Sequence, residues 1–120
     1  MPIQLKRVYE DPTPEDGVRV LVDRIWPRGV TKDRAMIDYW LKELAPSTAL
    51  RKWFGHSPSR WTEFKHRYFA ELDSRRTEIN ELRKIADNKT VTLVFGARDV
   101  EHNQAVALKI YLETRPQRPE

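Results

Sequence analysis

The chain reads as a small three-layer α/β domain, with a mostly parallel sheet and helices on both faces. Residues 18–25 and 91–95 are short apolar runs rich in valine and leucine, the pattern of strands covered from both sides. Between them the apolar residues recur at helical spacing, so helical crossovers rather than hairpins join the strands. Right-handed crossovers are the default for such connections. Residues 1–114 are expected to form a single α/β domain, and 115–120, with prolines and no apolar residue, a flexible C-terminal tail.

Taken in order, residues 3–8 alternate apolar and polar side chains and predict a half-exposed strand. Residues 10–17, with prolines, acids and a glycine, predict a loop. Residues 18–25 predict a more buried strand holding Arg19, and Trp26-Pro27 ends it because proline donates no ladder hydrogen bond. Thr31 or Asp33 opens a short helix or turn. Residues 38–44 are ambiguous; a short third strand is favoured because a doubly wound sheet needs one. Ser47 then caps a short helix with Ala49, Leu50, Trp53 and Phe54 as its apolar face and Gly55 as its stop. Ser57-Pro58 repeats the start signal, and Trp61, Phe64, Tyr68 and Leu72 recur at i, i+3, i+7 and i+11. After a bend near Asp73-Ser74, Ile79, Leu82, Ile85 and Ala86 continue the helical pattern, and Asn88 closes it. Residues 91–95 predict the second buried strand, bounded by Gly96. Asp99 is expected to cap a final helix covered almost all round by Ala105, Val106, Leu108, Ile110, Tyr111 and Leu112.

Composition removes several function classes. At 120 residues the chain can bury roughly two-thirds of its unfolded surface, enough for a core without staples. It has no cysteine, hence no disulfide, no thiolate nucleophile and no cysteine-bound zinc. No apolar stretch approaches the roughly 20 residues of a membrane span, and no signal-peptide pattern follows Met1. A cytoplasmic protein without a membrane partner is expected. The net charge of +4 comes from 22 basic and 18 acidic residues that are interspersed, unlike the clustered cations of a phosphate-neutralising DNA binder. Arginine outnumbers lysine by 14 to 8, which suits bidentate carboxylate or phosphate contacts. No P-loop, dinucleotide fingerprint or Gly-x-Ser-x-Gly elbow is present.

What remains informative is how the two apolar runs end. If they lie side by side and parallel, Asp23, Arg24 and Arg28 meet Arg98, Asp99, His102 and Asn103 at one edge of the sheet, where α/β folds hold ligands. Arg24, Arg28 and Arg98 are the expected anion clamps, Asp23 or His102 the proton-transfer group, and Asn103 an orienting amide. Arg51 can reach the same edge from its helix. His56 reads as a cap or surface residue, and Arg60, Glu63 and Arg67 as a solvated, salt-bridged helix face. No metal site is expected, and no cofactor can be named.

At these residues the chain resembles the YeaO-like proteins, a group catalogued as domain of unknown function 488. The resemblance rests on Arg19-Val-Leu-Val-Asp-Arg-Ile-Trp-Pro-Arg-Gly29, Trp40-Leu-Lys-Glu-Leu-Ala-Pro-Ser47, Leu50-Arg-Lys-Trp-Phe-Gly-His56, Arg60-Trp61 with Phe64 and Arg67-Tyr68, and Thr92-Leu-Val-Phe-Gly-Ala-Arg-Asp99 with Glu101-His-Asn103. It implies a small stand-alone bacterial or archaeal cytoplasmic protein, and it carries over no activity or catalytic residue. No helix-turn-helix pair with a basic recognition helix is visible.

The expected function is therefore binding of an anionic, phosphate-bearing small molecule at the C-terminal edge of the sheet, with hydrolysis or transfer as the chemistry its residues would permit. A nucleic-acid-associated module, with Trp26 and Trp53 as stacking surfaces, and a protein-interaction domain are the alternatives.

Overall fold

Four strands run in one direction in the order β1-β4-β2-β3: β1 is Ile3–Arg7, β2 Val18–Leu21, β3 Tyr39–Trp40 and β4 Val91–Phe95. The structure is a computed structural model that describes residues 3–115. β4 is central and every one of its residues is buried, which is why its sequence shows no alternation. It pairs Val91 with both Ile3 and Val18, and Val94 with both Lys6 and Leu21.

The helices are α1 (Lys32–Ala35), α2 (Thr48–Phe54), α3 (Trp61–Asp73), α4 (Arg76–Asp87) and α5 (Gln104–Thr114). Val20, Val22, Leu93 and Phe95 face the main core, which they share with Leu50 and Phe54 of α2, Phe64, Tyr68 and Leu72 of α3, Leu82 of α4 and Leu108 of α5. On the other face Leu21 and Val94 meet Val8 and Ala35 of α1, under Trp26, Ile37 and Trp40. Helices thus cover both faces, unequally: four on one, a single turn on the other. Local signals place most of them. Ser47 accepts the Leu50 N–H as the N-cap of α2, Gly55 follows it at φ +55°, and Ser74 separates α3 from α4.

Three local expectations are revised. β2 stops at Leu21, because Val22 makes its last sheet bond, to the Phe-preceding Val94 carbonyl, and Asp23 then turns into a loop whose carbonyl accepts the Trp40 indole N–H. Residues 38–44 contribute only a two-residue strand before a 3-10 turn at Lys42–Leu44. Asp99 does not cap α5. Its carboxylate is taken by the N–H groups of Glu101 and His102, and Asn103 caps the helix by accepting the Val106 N–H. Of the tail expected at 115–120, Arg115 bonds to Asp73, and residues 116–120 lie outside the described residues.

Near the start of β2 a charged cluster is buried. Arg19 donates to Asp16 at 2.6 Å and to the Ala35 carbonyl, while Lys6 donates to the other Asp16 oxygen at 2.9 Å. Burial alone would raise the Asp16 pKa. The bonds from Lys6, Thr13 and Arg19 outweigh it and bring the carboxyl down to about 2. Gly17 follows at φ +65°, and a Cβ there would lie 2.2 Å from the Thr90 carbonyl oxygen, so only glycine fits.

Candidate functional site

β2 and β4 are parallel neighbours, so their C-terminal residues emerge at the same edge. From there β2 leads to α1 on one face, whereas β4 leads into α5 on the other. Chains that part in this way leave a crevice between the strand ends. A cavity of about 270 Å³ occupies it, with Pro27, Pro46, Phe54 and Phe64 among its apolar walls and Asp23, Arg24, Arg51, His56, His102 and Asn103 on its border.

Asp23 is the most firmly placed of these. Its Oδ2 accepts the Gly96 N–H at 3.0 Å, its Oδ1 accepts the Gln104 side-chain amide, and its backbone carbonyl is held by Trp40 at 2.7 Å. A Cβ on Gly96 would approach Oδ2 to 2.9 Å, so this glycine makes room for the carboxylate. Burial pushes the Asp23 carboxyl up to about 6, against the opposing pull of Gly96, Gln104 and the Arg51 charge.

The two arginines at the border differ in kind. Arg24 donates to the carbonyls of Pro46 and Ala45, at 3.1 and 3.2 Å, and so ties the end of β2 to the segment that enters α2. Carbonyls satisfy its hydrogen bonds without neutralising its charge. Arg51, on α2, is exposed, and its guanidinium makes no hydrogen bond or ion pair among the described residues.

His102 is oriented by Asp99, with Nδ1 2.9 Å from Oδ2, and its ring meets Trp61 edge-on at 5.3 Å. The Glu101 N–H foremost, together with His102, holds the Asp99 carboxyl below its ordinary value. An ionised carboxylate only accepts, so Nδ1 carries the proton in the neutral ring and Nε2 presents a lone pair. That Nε2 has no partner among the described residues. Asn103 borders the cavity, but both ends of its amide serve the start of α5, with Nδ2 bonded to the Asp99 carbonyl and Oδ1 to the Val106 N–H.

Asp23, Arg24, His102 and Asn103 are therefore brought together, whereas Arg28 and Arg98 are exposed and stay off the cavity border. Trp26 is anchored by its indole N–H on the Val30 carbonyl and Gly29 turns the chain at φ +80°, which carries Arg28 away. The Asp99 turn carries Arg98 outward in the same manner. Three residues of the border were read otherwise or not at all from sequence. Gln104 gave no signal beyond following Asn103. His56, at φ +57° after Gly55, read as a surface turn. Arg51 was within reach of the edge yet had no role. The stacking surfaces expected of a nucleic-acid module are engaged: Trp26 packs edge-on against Trp40, and Arg67 and Arg60 lie over Trp53 at 4.2 and 5.3 Å. Arg67 also bonds Glu63, as its helix face predicts. Among the described residues no group of three His, Asp or Glu side chains is arranged to hold a metal ion, and no helix is long and apolar enough to cross a membrane.

Residues 2–120 match the model of a family described as the inactive DUF488-N3 subclade. The chain is 44% identical over 113 residues to an uncharacterized protein of Mycobacterium tuberculosis, covering 94% of this chain and 95% of that one. A protein of Mycobacterium bovis, also titled uncharacterized, matches to the same extent. The uncharacterized protein YeaO of Escherichia coli is 40% identical over 114 residues, covering 95% of this chain and 99% of its own. No solved structure matches the chain.

Proposed function

This chain belongs to the YeaO-like proteins of the inactive DUF488-N3 subclade, and on that premise we propose that it binds, rather than turns over, an anionic phosphate-bearing small molecule in the cavity at the C-terminal edge of its sheet. The observation that carries this reading is Arg51, a cation on the cavity border that makes no hydrogen bond or ion pair among the described residues, its charge acting on Asp23 from beyond ion-pair distance. The uncompensated charge of Arg24 adds to the same positive field. Pro27, Pro46, Phe54 and Phe64 supply the apolar wall that small-molecule sites combine with a few fixed polar groups. Asp23 and His102 serve as polar contacts, and the word inactive in the subclade's description favours binding over proton-transfer chemistry.

Titration of the protein with inorganic phosphate and sugar phosphates, followed by calorimetry and thermal unfolding, tests the reading. Saturable stabilisation of the wild type is expected. Arg51→Ala removes a charge-assisted contact worth about 1.5–3 kcal/mol and should weaken binding by about tenfold or more. Arg28→Ala and Arg98→Ala, away from the cavity, should bind as the wild type does. No saturable binding of any phosphate to the wild type would refute the reading.

A further inference from the structure

We infer that the ligand carries a hydrogen-bond donor besides its negative group: the cavity suits a phosphate monoester whose O–H or N–H reaches Asp23. This rests on the reading of the cavity as an anion site and names what else must be in that anion.

A site built for negative charge alone would not place a carboxylate on its border, since like charges repel. Nor is Asp23 locked in an ion pair: no cation lies within ion-pair distance of it among the described residues, and the Arg51 charge acts on it only from farther off. A role in tying the loop together does not demand an acid either. An asparagine could accept the Gly96 N–H and, with the Gln104 amide turned over, donate to Gln104, making both bonds without a buried charge. What the acid has and the amide lacks is spare acceptor capacity. Each carboxylate oxygen can take two donors, and each of Asp23's takes one from the protein.

Other oxygen acceptors on the border are neutral groups that already take a donor, and a neutral oxygen holds a further donor less strongly than a carboxylate does. The Ala45 and Pro46 carbonyls are taken by Arg24, the Ala97 carbonyl by Arg7 at 2.9 Å, and the Asn103 amide by the start of α5. His102 presents Nε2, a neutral acceptor and a weaker one than a carboxylate. A donor on the ligand is therefore directed to Asp23, while its phosphate lies toward Arg51. The ionised Asp23 is strained by burial, so a donor arriving there relieves a cost already present in the empty protein.

Calorimetry at pH 7.5 with four probes tests this: inorganic phosphate, methyl phosphate, glycerol 3-phosphate and phosphoethanolamine, against the wild type and Asp23→Asn. The wild type should prefer glycerol 3-phosphate or phosphoethanolamine over methyl phosphate by about tenfold or more, the worth of one charge-assisted hydrogen bond. The winner of that pair separates a hydroxyl from an ammonium donor. Asp23→Asn should erase the preference and bind methyl phosphate at least as tightly as the wild type. Equal affinities of the wild type for methyl phosphate and both donor-bearing esters would overturn the inference while leaving the anion reading in place, and this arm does not depend on the variant folding. Failure of all four probes to bind would overturn both.

Discussion

Asp23→Asn should stabilise the protein at neutral pH, and the pH dependence of the gain identifies its cause. In the folded chain the Asp23 carboxyl rises from its ordinary 3.8 to about 6. One pKa unit corresponds to about 1.4 kcal/mol, so by pH 8, where the group is ionised in both states, its raised pKa costs the native state about 3 kcal/mol relative to the unfolded chain. The sign follows from proton counting. Between pH 3.8 and about 6 the native state holds the proton that the unfolded chain has released, so this group's contribution falls as pH rises. Below that window the group is neutral in both states and contributes no difference. Above it the cost is constant. Asparagine has the same shape and can keep partners at Gly96 and Gln104, so little of the gain should be lost to broken bonds. Urea unfolding of both proteins at closely spaced pH values from about 4 to 8 measures the difference. It should be near zero at the acid end and climb to about 3 kcal/mol. A difference that stays flat across the range, or an asparagine variant less stable throughout, would show that desolvation of this carboxylate is not the cost.

Two further outcomes follow from the same contacts. A methyl group on Gly96 would sit 2.9 Å from Asp23 Oδ2 and 3.5 Å from Pro27 Cβ, so Gly96→Ala should cost about 1–3 kcal/mol in urea unfolding and weaken phosphate binding measured by calorimetry. Asp16→Asn strands buried Arg19 without its carboxylate and should cost about 3–5 kcal/mol at pH 7. The Asp16 carboxyl lies at about 2 when folded, so its stabilisation is complete above its ordinary 3.8 and disappears as pH falls toward 2, a loss the variant should lack.

The elements were legible where one short stretch decides them. Ser47 and Gly55 bracket α2 by capping chemistry alone, and the valines and leucines of β4 announce a strand buried on both sides. The cap of α5 was not, because Asp99 and Asn103 are both good caps, four residues apart. Only the turn that uses Asp99 for the Glu101 and His102 N–H groups leaves the helix to Asn103. Strand order was equally hidden, since it depends on which distant run pairs with β4. At the site, proximity to a strand end is enough to bring Asp23, Arg24 and His102 to the cavity border, but it does not give direction. Arg28 and Arg98 follow loops that turn outward, whereas Arg51 reaches the border because α2 packs its Leu50 and Phe54 into the core. The Gln104 bond to Asp23 joins residues 81 apart in the chain, and no local pattern encodes it.

The sheet's borders have a bearing on how copies of this chain behave when crowded. An unpaired strand edge is a template on which another chain can add. Here one border is β3, whose two residues offer scarcely a single rung to an incoming strand. The other is β1, which ends in Arg7, and a cation at a border discourages a like-charged copy from pairing there. Growth by edge-to-edge addition is thus resisted at both ends, and the fold should withstand concentration without seeding fibrils.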